Sequence, residues 1–184
     1  SVVVAVTAYV AGSTIYLNVV SETGGPVHWH ADFEVWQCGK PVQLVDPEGL
    51  SNRVGNPVLH EHGDNRIHLE GVVVDYSDVS LGSFFRSVGG ELHKGRLELP
   101  TNQGLAAMKD GDSCPDGAGT LQVFVLRAVN GEIVQQKLDS SGYEEYVPSP
   151  YGNVPPGDCL IFEFAAEAKD KTGRMCESYH VALE

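Results

Sequence analysis

The chain has 184 residues, of which 42% are hydrophobic, and this is enough for one domain with its own core or one domain plus an appendage. Acidic residues outnumber basic ones by 25 to 12, which gives a formal net charge of −13. Because the basic residues form no cluster, this composition argues against nucleic acid and anionic membrane surfaces as partners.

The first 21 residues form an apolar segment, and residues 22–184 form a histidine-rich β-domain by our division of the sequence. The apolar segment carries no charge before Glu22 and is long enough to cross a bilayer as a helix. It is also rich in β-branched residues and is divided by Gly12 and Ser13, which favours two strands over residues 1–10 and 14–20. Three interpretations stay open: a strand of its own sheet, a membrane anchor, or a strand donated to a neighbouring subunit.

We prefer strand donation, which predicts self-association through residues 1–12 and a subunit of an extracellular, pilus-like filament. Head-to-tail donation does not close on itself, so it builds filaments rather than rings. Because the sequence starts at Ser1 and not at Met, we also expect that a leader has been removed.

After Glu22 the sequence is typical of a β-protein. From Trp29 to Gln37 apolar and polar residues alternate, which predicts a strand with one core face and one chemical face. The chemical face carries His28, His30, Asp32 and Glu34.

Three hairpins and one helix are predicted further along the chain. The hairpins join 58–62 to 67–74, 120–129 to 132–138 and 159–168 to 175–183. The helix begins after Ser80 and ends at Gly89, with an apolar stripe at helical spacing. The fold class is therefore mainly β, a sandwich or open barrel with one short helix and an extended apolar N-terminal strand.

Histidines dominate the candidate chemistry, since five of the seven fall within residues 28–68. Two His-x-His pairs on strands would each place both imidazoles on one face. Such a nitrogen-rich set suits Zn²⁺ or Cu²⁺, and nearby carboxylates could add oxygen ligands. The predicted metal ligands are His28, His30, His60, His62 and His68, with Asp32, Glu34, Asp64 and Glu70 as candidate additions. The alternative is a hydrogen-bonded histidine network that binds no metal; His93 and His180 are isolated and are taken as ordinary residues.

Two other features concern the loops and the cysteines. Asp110, Asp112 and Asp116 have the alternating spacing of a weak calcium loop, but Leu121 stands where such a loop needs glutamate, so a solvated acidic loop is the preferred interpretation.

An even cysteine count predicts two disulfides in an oxidising compartment, against the alternative of four buried thiols. The cysteines are Cys38, Cys114, Cys159 and Cys176. Symmetric pairing in the third hairpin places Cys159 and Cys176 apart, so we expect bridges between distant parts of the chain.

A resemblance follows from the segments HWHADF, HEHGDNRIH and PPGDC. Together they resemble a poorly characterised histidine-rich domain of exported or membrane-anchored proteins in little-studied bacteria and archaea. The resemblance covers residues 22–184 and implies an extracytoplasmic location, metal binding and an N-terminal membrane segment. It brings no established reaction.

A second, partial resemblance concerns His28, His30 and Glu34, whose spacing is similar to the first metal motif of cupins. That family implies a divalent ion inside a β-barrel. The second cupin motif requires a histidine soon after its Pro-x-Gly turn, whereas Gly157 is followed by Asp158 and Cys159.

These observations predict an exported, disulfide-bonded structural protein of the cell surface that carries a Zn²⁺ or Cu²⁺ site and is not an enzyme. Two alternatives remain. One is a membrane-anchored periplasmic or surface metal-binding protein, and the other is a cupin-like, metal-dependent oxidoreductase or hydrolase. An enzyme would need three protein ligands and an open coordination position.

Overall fold

A computed structural model describes residues 1–148, 157–171 and 173–177 of the chain. In chain order the elements are α1 (Val2–Val20), β1 (Pro26–Gln37), β2 (Lys40–Val42), β3 (Val54–Gly55), β4 (Leu59–Glu61), β5 (Arg66–Val72), α2 (Leu81–Ser87), β6 (Glu91–His93), β7 (Arg96–Thr101), β8 (Gly104–Lys109), β9 (Ser113–Cys114), β10 (Gly117–Ala118), β11 (Thr120–Val129), β12 (Glu132–Lys137) and β13 (Cys159–Ala165). Two short 3₁₀ turns cover Tyr76–Val79 and Ser140–Gly142.

Within the described ranges, eight strands form one mixed sheet in the order β12, β11, β13, β1, β5, β4, β3, with β2 beside β1. The pair β1 and β13 is parallel, and β1 pairs antiparallel with β5. A second, antiparallel sheet contains β6, β7 and β8, and β9 pairs with β10. The predicted fold class, mainly β and sandwich-like with one short covering helix, is confirmed.

The main core lies between one face of the large sheet and a layer made of α2 and the three-stranded sheet. Alternation in β1 sends Ala31 and Phe33 into this core, as predicted from the sequence. The predicted helix stripe meets them, because Phe84 and Phe85 of α2 are fully buried and Phe84 packs edge-on against Phe33. Ser80 caps α2 by accepting a hydrogen bond from the Ser83 N–H.

The apolar N-terminal segment is a helix, so the prediction of two strands over residues 1–10 and 14–20 is wrong. In α1 the backbone hydrogen bonds are made within the segment, and none of its residues is buried against the β-domain. The helix is long and apolar enough to cross a membrane. A helix without a protein partner on any side is the form that a lipid environment favours, because it leaves no backbone group unsatisfied there.

The connection between α1 and β1 is short and hydrogen-bonded to the β-domain. Ser21 ends the helix, and its hydroxyl accepts the Gly25 N–H at 3.1 Å. The Glu22 carboxylate accepts the Tyr76 N–H at 2.5 Å, and Thr23 contacts the backbone of Val73. The end of α1 is therefore fixed to the β-domain at several points.

The first two predicted hairpins are confirmed. Strands β4 and β5 pair antiparallel, as do β11 and β12. The turn between β11 and β12 is Asn130-Gly131, and both residues have positive φ, at 53° and 83°. This is the conformation that an Asn-Gly turn of type I′ requires.

The third hairpin is wrong, and so is the disulfide pairing inferred from it. β13 ends at Ala165, and Met175 and Cys176 are not in a strand; residues 178–183 of the predicted second strand lie outside the described residues. The segment instead folds back over the outer face of the sheet, where Met175 and Cys176 pack with Ile161. This return brings Cys176 to Cys159, and the two form a disulfide.

The other disulfide joins Cys38 to Cys114 across 76 residues of sequence. It links the turn between β1 and β2 to the short strand β9. Because Cys38–Cys114 can occur only together with Cys159–Cys176, this bridge also belongs to the connectivity that the sequence reasoning rejected. All four cysteines are thus paired, and no free cysteine remains. Paired cysteines of this kind indicate an oxidising environment.

Candidate metal centre

The alternation of β1 places His28 and His30 on the outer face of the large sheet, opposite the core residues Trp29 and Ala31. The neighbouring strand β5 pairs His68 directly with His30. On the far side of β5, strand β4 pairs His60 with the same His68. The hairpin therefore carries the second histidine cluster to the first, a meeting that the metal hypothesis assumed.

The five imidazoles form one continuous patch, here called the histidine face: His28, His30, His60, His62 and His68. Adjacent ring centroids are 4.6 Å apart for His28 and His30, and 4.8 Å apart for His30 and His68. The His62 ring lies 4.8 Å from the His68 ring and 4.7 Å from that of His60. His68 is thus the central member of the histidine face.

Three members of the histidine face could hold a metal ion, because one donor atom each from His28, His30 and His68 lies within 4.8 Å of the others. Tetrahedral zinc with bonds of about 2.0–2.1 Å needs nitrogens about 3.3 Å apart. Rotation of the imidazoles on their rigid strands must therefore bring the donors closer together. The side chain of His28 is 61% exposed, so the site opens to solvent.

Two carboxylates orient two of these ligands. Glu70 contacts His28 Nε2 at 3.1 Å, and Asp64 contacts His68 Nε2 at 3.0 Å. Burial alone would raise the pKa of Asp64, but the hydrogen bond and charge of His68, together with Arg66, lower it below its ordinary value. A carboxylate bound to one ring nitrogen fixes the tautomer and leaves the other nitrogen for a metal. Glu70 and Asp64, both predicted as additional ligands, thus lie against the histidine face.

The other two predicted carboxylates, Asp32 and Glu34, lie on the same face of β1 but are bound to guanidinium groups. Asp32 contacts Arg66 at 2.6 Å, and Glu34 contacts Arg174 at 2.7 Å. Glu34 also accepts a hydrogen bond from Trp36. The converging donor set therefore contains His68 in place of Glu34, unlike the cupin spacing.

His60 and His62 contact each other, with their Nε2 atoms 3.1 Å apart. His60 is only 1% exposed, whereas His62 is partly exposed and its Nδ1 contacts the carbonyl oxygen of Asn52. Burial lowers the pKa of His60, and the charge of a protonated His62 would lower it further. Both effects favour the neutral imidazole, which is the form that binds metals.

The remaining predicted residues lie elsewhere. Asp110 and Asp112 accept the backbone N–H groups of Leu121 and Lys109, so these carboxylates hold turns around β9 and β10. Within residues 1–148, 157–171 and 173–177, the His, Cys, Asp and Glu side chains that lie close enough together to hold a metal ion as a group of at least three are His28, His30 and His68. His93 is bound to Glu91 and Glu144, far from the histidine face in sequence, and His180 lies outside the described residues.

The sequence reasoning missed Glu61, which lies between the two histidines of the second pair and points to the opposite side. It is 1% exposed, and its Oε1 accepts the N–H groups of Asp64 and Asn65 at 2.6 and 2.9 Å. Its Oε2 is buried and has no partner among the described residues. Burial raises its pKa above the ordinary 4.5, against the opposing backbone hydrogen bonds. Strict alternation along β4 was the signal, because it sends the residue between two outer histidines inward.

This raised pKa predicts a pH dependence of stability in the metal-free protein. Above pH 4.5 the native state holds the Glu61 proton more tightly than the unfolded state does, so the free energy of unfolding should fall as pH rises through the native pKa. Glu61→Gln removes the titrating group and should flatten this fall. Urea unfolding at several pH values, with the exposed Glu48→Gln as control, measures the difference; equal slopes in Glu61→Gln and the parent protein would contradict it.

Comparison of the chain with protein-family models, curated proteins and solved structures gives no match. The resemblances to a histidine-rich extracytoplasmic domain and to cupins therefore stay predictions. What is known about the site rests on its own geometry.

Proposed function

We propose that this chain is a membrane-anchored metal-binding protein of an oxidising, extracytoplasmic compartment. Its β-domain binds Zn²⁺ or Cu²⁺ through His28, His30 and His68, and α1 holds it at the membrane. The observation that carries the proposal is the convergence of three imidazole donors from two adjacent strands. Two disulfides support the oxidising compartment, and the exposed apolar surface of α1 supports the anchor.

The choice of metal follows from the donor atoms. Three imidazole nitrogens suit borderline ions such as Zn²⁺ and Cu²⁺ better than Ca²⁺ or Mg²⁺, which prefer oxygen ligands. The two carboxylates, Asp64 and Glu70, lie against imidazoles and offset the charge of a divalent cation. Their role is to orient His68 and His28 and to raise the basicity of both rings.

The openness of the site favours a binding or sequestering role. Three protein ligands leave at least one coordination position to solvent, and His28 lies mostly exposed at the edge of the site. An ion held this way exchanges more readily than one enclosed by four protein ligands. The same open position is what a metal-dependent oxidoreductase or hydrolase would use, and this observation keeps an enzyme as the second candidate.

The helical conformation of the N-terminal segment does not support assembly of a filament by strand donation. The proposal relied on residues 1–12 in an extended conformation, and these residues lie in α1. A helix has no free row of N–H and C=O groups to add to a neighbouring sheet. Self-association through this segment would instead require contacts between apolar helices.

The test is elemental analysis of natively purified, never-chelated full-length protein. We expect at least one Zn or Cu per chain in the parent protein, and one ion fewer per chain after dialysis when His28, His30 and His68 are all changed to alanine. His93→Ala is the matched control, because His93 is a half-exposed histidine bound to two carboxylates outside the histidine face. A triple variant that retains as much metal per chain as the parent protein would refute the site. Failure of the full chain to float with phosphatidylcholine vesicles would refute the anchor.

A further inference from the structure

We propose that His60 and His62 form a second metal site next to the first, so that the histidine face binds two transition-metal ions. This inference rests on the proposed metal-binding function and extends it from one ion to two. The second pair shares no residue with the donor group of His28, His30 and His68.

The spacing of the two nitrogens already matches a chelate. The two Nε2 atoms are 3.1 Å apart. Two nitrogens on one ion, with bonds of about 2.0–2.1 Å, lie about 2.9 Å apart at a right angle and about 3.3 Å apart at a tetrahedral angle. The observed distance falls between these limits, so the two nitrogens already have the spacing of a chelate, and the rings need only tilt until both lone pairs point at the ion. The three-histidine site, by contrast, must contract.

Hydrogen bonding sets the tautomer of His62 for this role. Its Nδ1 contacts the carbonyl oxygen of Asn52, which can only accept a hydrogen bond, so Nδ1 carries the proton. The lone pair of His62 therefore lies on Nε2 and points at His60. A backbone carbonyl that accepts a hydrogen bond from the non-ligating nitrogen is one of the common outer partners of a metal-bound imidazole.

His60 contributes the second donor from inside the protein. It is 1% exposed, and its Nδ1 has no hydrogen-bond partner among the described residues. Without metal, His60 Nε2–H donates to His62 Nε2. When an ion binds both Nε2 atoms, the His60 proton moves to Nδ1, and the His60–His62 hydrogen bond is the one that the ion replaces. Water completes the coordination on the partly exposed His62 side.

The two ions would be neighbours separated by the His68 ring. This ring lies 4.8 Å from the His62 ring and 4.8 Å from the His30 ring, measured between centroids. Two negative groups adjoin the face, since Asp64 is bound to His68 and the charge of Glu70 acts on both His28 and His60. Arg53 adds one opposing positive charge near His60. The carboxylates thus offset part of the charge of a second cation.

The test is titration of the metal-free full-length protein with Cu²⁺, followed by EPR spectroscopy. We expect two Cu²⁺ per chain, with a lower EPR amplitude per copper at the second equivalent because adjacent ions couple magnetically. His60→Ala with His62→Ala should bind one Cu²⁺ and give the uncoupled spectrum. His62→Ala alone changes a partly exposed residue and should give the same result if the double variant does not fold. His93→Ala should still bind two.

Each outcome of this titration decides between the two proposals. One Cu²⁺ per chain, unchanged in the His60 and His62 variants, would overturn the second site and leave the first intact. One Cu²⁺ that is lost in these variants but kept in the triple variant of His28, His30 and His68 would overturn the proposed function while keeping the pair. No bound Cu²⁺ in the parent protein would overturn both.

Discussion

Removing the disulfide between Cys38 and Cys114 is expected to lower the free energy of unfolding by about 4.5 kcal/mol, the loop-closure value for a bridge that spans 76 residues. The bridge restricts the unfolded chain from the end of β1 to β9. This loop includes α2 and the hairpin of β4 and β5. Since small domains are stable by about 5–15 kcal/mol, this loss is a large part of the total. Urea unfolding of Cys38→Ala with Cys114→Ala under oxidising conditions measures it.

The single variants serve as controls for this disulfide. Cys38→Ala and Cys114→Ala should each destabilise the protein as much as the double variant does, because the bond requires both sulfurs. Additive losses would show that side-chain packing, and not the cross-link, provides the stability. A loss below about 1 kcal/mol in the double variant would contradict the loop-closure argument.

Replacing His68 by alanine is expected to weaken Zn²⁺ binding at the three-histidine site more than any other single change in the histidine face. His68 is the central ring, and it brings the carboxylate of Asp64 to the site. Asp64→Asn should weaken binding by about 10–100-fold, the usual cost of losing an outer partner, and His68→Ala should exceed this. Isothermal titration calorimetry of the metal-free protein gives both affinities.

The exposed Asp78→Asn is the control for Asp64→Asn, since Asp78 lies in the 3₁₀ turn before α2. Binding should also weaken as pH falls, because each imidazole must lose its proton before it can bind the ion. An affinity that is independent of pH, or equal affinities for His68→Ala and the parent protein, would mean that zinc binds elsewhere.

The two halves of the histidine face were predictable because each depends only on alternation or on one short hairpin. Placing His28 with His30, and His60 with His62, needs only the two-residue period of a strand. The turn at residues 63–66 then returns the chain so that His68 lies beside His60. The pairing of β1 with β5, which joins the two clusters, is a contact between distant segments and could only be assumed.

The partners of the carboxylates were not predictable from the sequence. Asp32 and Glu34 have the same periodicity as the histidines, but they form salt bridges with Arg66 and Arg174. Arg174 lies 140 residues after Glu34 and reaches it only because the chain folds back over the sheet. The same return explains the error in the cysteine pairing, which assumed that the chain continued as a strand.

The nature of α1 shows that β-propensity alone does not decide the conformation of an apolar segment. Val, Thr and Ile favour strands by a modest amount per residue, and on this basis the segment was predicted to be extended. A run without charges can instead satisfy its whole backbone as a helix. Gly12 and Ser13, interpreted as a break, lie inside the helix without interrupting it.

The short connection after α1 limits how far the proposed metal site can lie from the lipid. His28 lies eight positions after Val20, and a fully extended chain over eight steps spans at most about 28 Å. Hydrogen bonds of Ser21, Glu22 and Thr23 also hold the connection in place, so it is a fixed linker and not a flexible one. If α1 is embedded, the ion is confined to a thin layer above the headgroups and moves in two dimensions. Any acceptor of that metal would have to bind it at the same distance from the membrane surface, as another membrane-bound protein could.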